Sequence, residues 1–130
     1  MKEQFISMKT TSNPNKFVSG CEEISVYSRK VNSFKSLNAE EEKEVATRAK
    51  SGDKNAKKVL VQSNLKLVLT IARKAIHVAK IPMIDLIQEG NLGLMVAVEK
   101  FNPELGYRFS TYASWWIKQA MFKAISEQSY

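Results

Sequence analysis

Apolar side chains recur every three or four residues along most of this chain, the spacing that collects them on one face of an α-helix. This pattern predicts five helices and an all-α fold, a helical bundle. They are a short amphipathic helix at about 22–31, a helix at 39–50, a long helix at 55–78, a helix at 83–100 and a last helix at 110–126. No strand pattern competes with them.

Particular residues set the boundaries of these elements. Asn38 is a favourable N-cap, and Glu41, three residues later, completes the pattern of a capping box. Pro82 disfavours helical geometry in the residue before it and so ends the long helix. The sequence NPELG at 102–106 predicts a turn. Residues 1–20 are polar and aperiodic, so we predict a flexible tail there and one folded domain at 21–130.

Two glycines, Gly90 and Gly93, lie inside the predicted helix at 83–100. Glycine in a helix interior costs about 1 kcal/mol relative to alanine. We therefore expect these two positions to let another helix approach closely.

The last predicted helix has two unlike faces, since each residue turns it by about 100°. One face gathers small and aliphatic residues: Ala113, Ile117, Ala120, Met121 and Ala124. The other gathers Tyr112, Trp115, Trp116, Gln119, Phe122 and Lys123, with Lys118 at its edge. The aromatic side chains are therefore expected largely outside the core stripe.

Two interpretations of this aromatic face remain open from the residues alone. It is a second packing interface, covered by other helices or by another part of the protein. Alternatively, it is a platform on which unpaired bases stack while nearby cations bind the phosphates. Gln119 suits the second interpretation, because glutamine can read the edge of an adenine. More aromatic and basic side chains precede the helix, namely Phe101, Tyr107, Arg108 and Phe109.

The charge of the chain favours a polyanionic partner such as nucleic acid, because the formal net charge is +7 over 130 residues. The single cysteine excludes an internal disulfide, and the lone histidine leaves no Cys/His set for zinc. The chain has no apolar signal segment and no apolar run of about 18 residues. We expect a reducing, cytoplasmic setting, without cofactor or metal.

A polar patch interrupts the apolar helix at 83–100. Asp85 and Glu89 lie four residues apart with Gln88 on the same side. Paired carboxylates can serve acid–base or metal chemistry, but this pair has no histidine nearby, no second acidic pair and no glycine-rich phosphate loop, so we do not predict an enzyme. Two interpretations stay open: a solvated patch, or a docking site for a basic partner surface.

Two blocks in this region resemble region 2 of bacterial sigma factors of the sigma-70 family. They are DLIQEGNLGLMVAVEKF (Asp85–Phe101) and GYRFSTYASWWIKQA (Gly106–Ala120). NLKLVLTIARK (Asn64–Lys74) is similar to the preceding helix of that domain. ISVYSRKVNSFKSLNAEEE (Ile24–Glu42) resembles, more loosely, region 1.2 of the primary and stationary-phase groups. Several blocks in the right order are far more specific than one short motif.

The resemblance implies the helical fold of sigma domain 2 and a role in transcription initiation. The implied partners are core RNA polymerase, through the coiled coil of its β′ subunit, and the non-template strand of the promoter −10 element, which the domain helps to melt. The positions that match polymerase contacts are Leu65, Asp85, Gln88, Glu89, Asn91 and Met95. The positions that match DNA contacts are Asn64, Phe101, Tyr107, Arg108, Phe109, Thr111, Tyr112, Trp115, Trp116, Lys118, Gln119, Phe122 and Lys123.

The chain also departs from the family pattern. It stops at Tyr130, before the helix-turn-helix domain that reads the −35 element, so we expect no −35-reading domain in this chain. Phe122 is unusual beside Gln119, and Lys80-Ile81-Pro82 replaces a common Arg-Gly-Leu sequence. Two alternatives therefore stand beside the main hypothesis. One is a truncated module that titrates polymerase or an anti-sigma regulator without initiating, and the other is a nonspecific single-strand binder.

Overall fold

The computed structural model describes residues 20–127, which form six α-helices and one 3-10 turn in that range. The α-helices are α1 (Gly20–Ser33), α2 (Ala39–Lys50), α3 (Lys54–Gln62), α4 (Leu65–Ala75), α5 (Met83–Lys100) and α6 (Phe109–Glu127). The 3-10 turn, Pro103–Leu105, joins α5 to α6. No strand occurs between residues 20 and 127, so the all-α prediction is confirmed. The predicted tail lies outside the described residues except for Gly20, which begins α1.

The predicted long helix at 55–78 is wrong, because the chain breaks into α3 and α4 at Ser63-Asn64. Asn64 has φ −118° and ψ 7°, outside the helical region. Its Nδ2 donates to the Leu60 carbonyl oxygen at 2.8 Å, and Ser63 Oγ donates to the same oxygen at 3.2 Å. Short polar side chains that bond the backbone in this way compete with the helical ladder.

The predicted boundary residues of α2 are confirmed. Asn38 Oδ1 accepts from the Glu41 N–H at 2.9 Å, and Glu41 Oε1 accepts from the Asn38 N–H at 3.0 Å. Lys35 Nζ also donates to Glu41 at 2.9 Å, and this bond, with that from Asn38, holds the pKa of the Glu41 carboxyl below its usual value.

Helices α5 and α6 form the most extensive interface in the described bundle, and α4 packs against both. The predicted close approach at the two glycines is confirmed. A Cβ at position 93 would lie 2.5 Å from the backbone oxygen of Trp116 and 3.0 Å from Cα of Ile117. A Cβ at position 90 would collide with the side chains of Met121 and Val68. The absence of side chains therefore brings the two backbones together.

Helix α1 is attached to α5 by a polar contact in the core. Tyr27 and Val31 are buried, and Asn91 Nδ2 donates to the Tyr27 hydroxyl at 3.2 Å. Burial raises the pKa of the Tyr27 phenol, because the phenolate would lose its hydration.

Candidate nucleic-acid interface

An open concave surface of about 450 Å³ lies beside the first half of α6. It is lined by four aromatic residues, Tyr107, Tyr112, Trp115 and Trp116, and by Thr111. Tyr107 comes from the connection before α6, and the others come from the first two turns of the helix. We call this surface the aromatic pocket.

The rings of the pocket stand at different angles. The Trp115 and Trp116 rings are nearly perpendicular, 89° apart, with centroids 4.9 Å apart. Tyr107 and Tyr112 lie closer to parallel, at 30° and 6.3 Å. The walls therefore offer ring faces in more than one direction, as a site for unstacked bases requires.

The two adjacent tryptophans of α6 differ in exposure. Trp115 is 57% exposed, whereas Trp116 is half-buried against the core together with Tyr112. Lys100 Nζ lies 5.6 Å from the centroid of the Trp116 ring, within range of a cation–π interaction. Both tryptophans therefore line the aromatic pocket, but only Trp116 also packs against the core.

The predicted core stripe of α6 is confirmed for Ala113, Ile117 and Met121, which are buried, while Ala120 and Ala124 are half-buried. Beyond the aromatic pocket, the part of α6 opposite the core stripe is exposed to solvent. Its exposed side chains are Lys118, Gln119, Phe122 and Lys123. Phe122 is 54% exposed among these charged and polar side chains, on the same helix as the exposed Trp115.

Phe101 and Phe109, two of the predicted DNA-contacting aromatics, lie in the core rather than on the surface. Their rings meet edge to face at 5.1 Å, and Phe101 lies 5.6 Å from Tyr112. A buried ring has no face to offer to a base, so these two phenylalanines support the pocket from below.

Arg108, predicted to contact DNA, is paired with an acid of this chain. Its Nε donates to Glu42 Oε2 at 3.0 Å, and its Nη2 donates to Glu42 Oε1 at 3.3 Å and to the Leu37 carbonyl oxygen at 3.1 Å. The hydrogen bond and charge of Glu42 raise the pKa of Arg108 above its ordinary value.

Asn64, another predicted DNA contact, lies at the break between α3 and α4 and is half-buried.

The predicted polymerase-contacting residues fall into two groups. Asp85, Gln88, Glu89 and Met95 are half-buried on α5. Leu65 and Asn91 are fully buried and belong to the core, so in this conformation a partner surface does not reach them.

Glu42 and Lys100 are site residues that the sequence interpretation missed. Glu42 stands in a run of three glutamates that complements the dipole of α2, and nothing in that run distinguishes it. Its spacing does, because Glu42, Ala46 and Ala49 are separated by four and three residues and are all buried.

In residues 20–127, histidine, cysteine and acidic side chains form no cluster suited to a metal ion. No helix in that range is both long and apolar enough to cross a bilayer.

Residues 60–129 match the family described as Sigma-70 region 2. The chain belongs to the sigma-70 family. The match covers the second half of the chain, including α5, the aromatic pocket and α6.

Curated relatives of this sigma-70 family chain carry sigma-factor names. It is 50% identical over 104 residues to RNA polymerase sigma factor RpoS of Coxiella burnetii. It is 45% identical over 106 residues to RNA polymerase sigma factor SigA of Clostridium acetobutylicum, and 43% identical over 106 residues to SigA of a Bacillus species. These alignments cover 80–82% of this chain but only 28–29% of the relatives. The sigma-70 chain therefore spans less than a third of their length.

Proposed function

We propose that this sigma-70 chain binds core RNA polymerase, recognises the promoter −10 element as unpaired non-template DNA and promotes melting for transcription initiation. The observation that carries the proposal is the aromatic pocket, where Trp115 is left exposed at an open surface. Exposed stacking surfaces in a basic chain suit single-stranded nucleic acid. The relatives are named RNA polymerase sigma factors, which supports RNA polymerase as the partner and transcription as the process.

The energetics are consistent with melting without a chemical energy source. Extruding a base costs a few kcal/mol. Stacking on an aromatic side chain returns about 1–3 kcal/mol for each base. Tyr107, Tyr112, Trp115 and Trp116 supply these rings, and Phe101 and Phe109 hold them in place. Binding energy from polymerase and from cations on the phosphates supplies the remainder.

The other proposed DNA contacts surround the pocket. Thr111 lines it, and Asn64 contacts the captured strand. Lys118 and Lys123 bind the phosphate backbone, and Gln119 with Phe122 faces the upstream edge of the element. These roles rest on the resemblance and, for the α6 residues, on their exposure.

The direct test is titration of a fluorescent non-template oligonucleotide bearing a −10 sequence with the chain bound to core polymerase. We expect tighter binding than to a scrambled oligonucleotide of the same composition. Equal affinity for both would contradict sequence recognition and would indicate nonspecific single-strand binding. Run-off transcription from an extended −10 promoter separates initiation from titration, because a titrating module binds polymerase or an anti-sigma regulator and yields no transcript.

For the polymerase, we propose a docking face on α5 made by Asp85, Gln88, Glu89 and Met95. A half-buried acidic and polar patch suits a basic partner surface, such as one on the β′ coiled coil. Leu65 and Asn91 are buried, so their proposed contribution is to stabilise the core of the domain.

Glu89→Lys is expected to weaken binding to the isolated β′ coiled coil at least about tenfold, or roughly 1.4 kcal/mol, because it places like charges opposite each other. The measurement is a titration by anisotropy or calorimetry. Glu44→Lys is the matched control, since it makes the same charge change at an exposed position on α2. Equal losses in the two variants would indicate a general charge effect and would exclude a specific role for Glu89.

A further inference from the structure

Glu42 is a charged group in an unusual position. It is only 6% exposed, whereas the other glutamates of the α2 first turn, Glu40 and Glu41, are exposed or half-buried. Burial of a carboxylate is costly unless hydrogen bonds and an opposite charge compensate for it. Its partners therefore indicate what this residue does.

The hydrogen bonds that the Glu42 carboxylate accepts come from two consecutive residues at the start of α6. Oε2 accepts from Arg108 Nε and from the Phe109 N–H, each at 3.0 Å, and Oε1 accepts from Arg108 Nη2 at 3.3 Å. These contacts join positions 66 and 67 residues apart in the sequence.

The bond to the Phe109 N–H is a helix cap provided by another helix. Phe109 is the first residue of α6, and its N–H has no partner within that helix. The preceding residue, Arg108, has no side-chain acceptor with which to cap it locally. A carboxylate at this point satisfies the N–H and also complements the positive end of the helix dipole.

The bonds to Arg108 fix the segment that leads into the pocket. Arg108 stands between Tyr107, which lines the pocket, and Phe109, whose buried ring packs against Phe101. If Arg108 used Nε or Nη2 to bind a phosphate, it would leave the buried Glu42 carboxylate without its charged partner, which is strongly unfavourable.

We infer that Glu42 and Arg108 form a clamp that positions the aromatic pocket, and that Arg108 acts through Glu42 rather than as a phosphate contact. This inference rests on the proposed function for its link to DNA. The clamp holds Tyr107 and the first turn of α6 in the conformation that receives bases.

The salt dependence of oligonucleotide binding to the polymerase-bound chain tests the role of Arg108. Each phosphate contact adds about 0.7 to the slope of log affinity against log salt for a single strand. Glu42→Gln and Arg108→Gln should each lower affinity about tenfold through lost preorganisation, with the wild-type slope retained. Lys118→Gln, at an exposed position on α6, is the control and should lower the slope by about 0.7.

The double variant Glu42→Gln with Arg108→Gln should bind no more weakly than the weaker single variant, because both changes remove one interaction. The double variant removes the Glu42 carboxylate as well as its partner, so no unpaired charge is left in the core. It therefore replaces any single variant that fails to fold. A slope lowered by about 0.7 in Arg108→Gln would overturn the inference, as would wild-type affinity in both single variants.

A measurement without DNA separates the clamp from the proposed function. In Glu42→Ala, hydrogen exchange at the Phe109 amide should be accelerated at least about tenfold relative to amides in the middle of α6. Unchanged exchange would overturn the clamp even if the DNA results stand. If the wild-type chain does not prefer the −10 sequence, the proposed function fails. The clamp is then still tested without DNA, by hydrogen exchange at the Phe109 amide and by whether the Tyr107–Tyr112 ring contact persists in Glu42→Ala.

Discussion

Replacement of both Trp115 and Trp116 by alanine is expected to lower affinity for the −10 non-template oligonucleotide at least about 30-fold. Each ring contributes about 1–3 kcal/mol of base stacking, so the pair accounts for roughly 2–6 kcal/mol. Binding to the β′ coiled coil should be unchanged, because the docking face that we propose for it lies on α5. The measurements are the oligonucleotide titration with polymerase present and a separate titration of the coiled coil.

The single variants distinguish stacking from stability. Trp115 is largely exposed, so Trp115→Ala should lose DNA affinity while the free energy of unfolding stays within about 0.5 kcal/mol of wild type. Trp116 packs on the core, so its replacement should lower both quantities. Val26→Ala, which removes an equally exposed apolar side chain from α1, is the control and should change neither. If the double variant kept wild-type DNA affinity, the aromatic pocket would not be the base-binding site.

Gly93→Ala is expected to destabilise the fold by about 2 kcal/mol or more, although alanine favours a helix by about 1 kcal/mol. The added Cβ would meet the backbone of α6 at Trp116 and Ile117, and a backbone cannot move aside as a side chain can. The two helices must separate, which disturbs packing along their shared interface. The measurement is urea denaturation with extrapolation to zero denaturant.

Gly90→Ala is the matched comparison, since it makes the same change three residues earlier on the same helix. Its Cβ would meet the flexible end of Met121 and a methyl group of Val68. Because side-chain atoms can shift more readily, we expect a smaller loss of stability than at Gly93. If Gly93→Ala were as stable as wild type, the backbones would not be in contact at this point.

Much of the fold could be predicted because helical periodicity records which side chains face the core. The stripe of Ala113, Ile117 and Met121 follows directly from the sequence and is buried. The break at Ser63-Asn64 could not be predicted in the same way. The apolar pattern continues on both sides of it, while its cause lies in two side chains that bond the Leu60 carbonyl oxygen.

The position of the candidate site could be predicted from the sequence, but which of its side chains are exposed could not. The resemblance gave Phe101, Phe109, Leu65 and Asn91 roles at surfaces, yet all four side chains are buried. A motif preserves the identity of a residue without stating whether it touches a partner or supports one that does. The pairing of Arg108 was also out of reach, because Glu42 lies 66 residues earlier and only the folded chain brings them together.

Because α5 and α6 approach backbone to backbone at Gly93, the two helices pack together as one rigid unit. Under the proposed function, one helix faces polymerase and the other faces DNA, so their mutual orientation is built in when the chain folds. RNA polymerase bound to α5 would therefore hold the aromatic rings of α6 at one fixed position along the promoter.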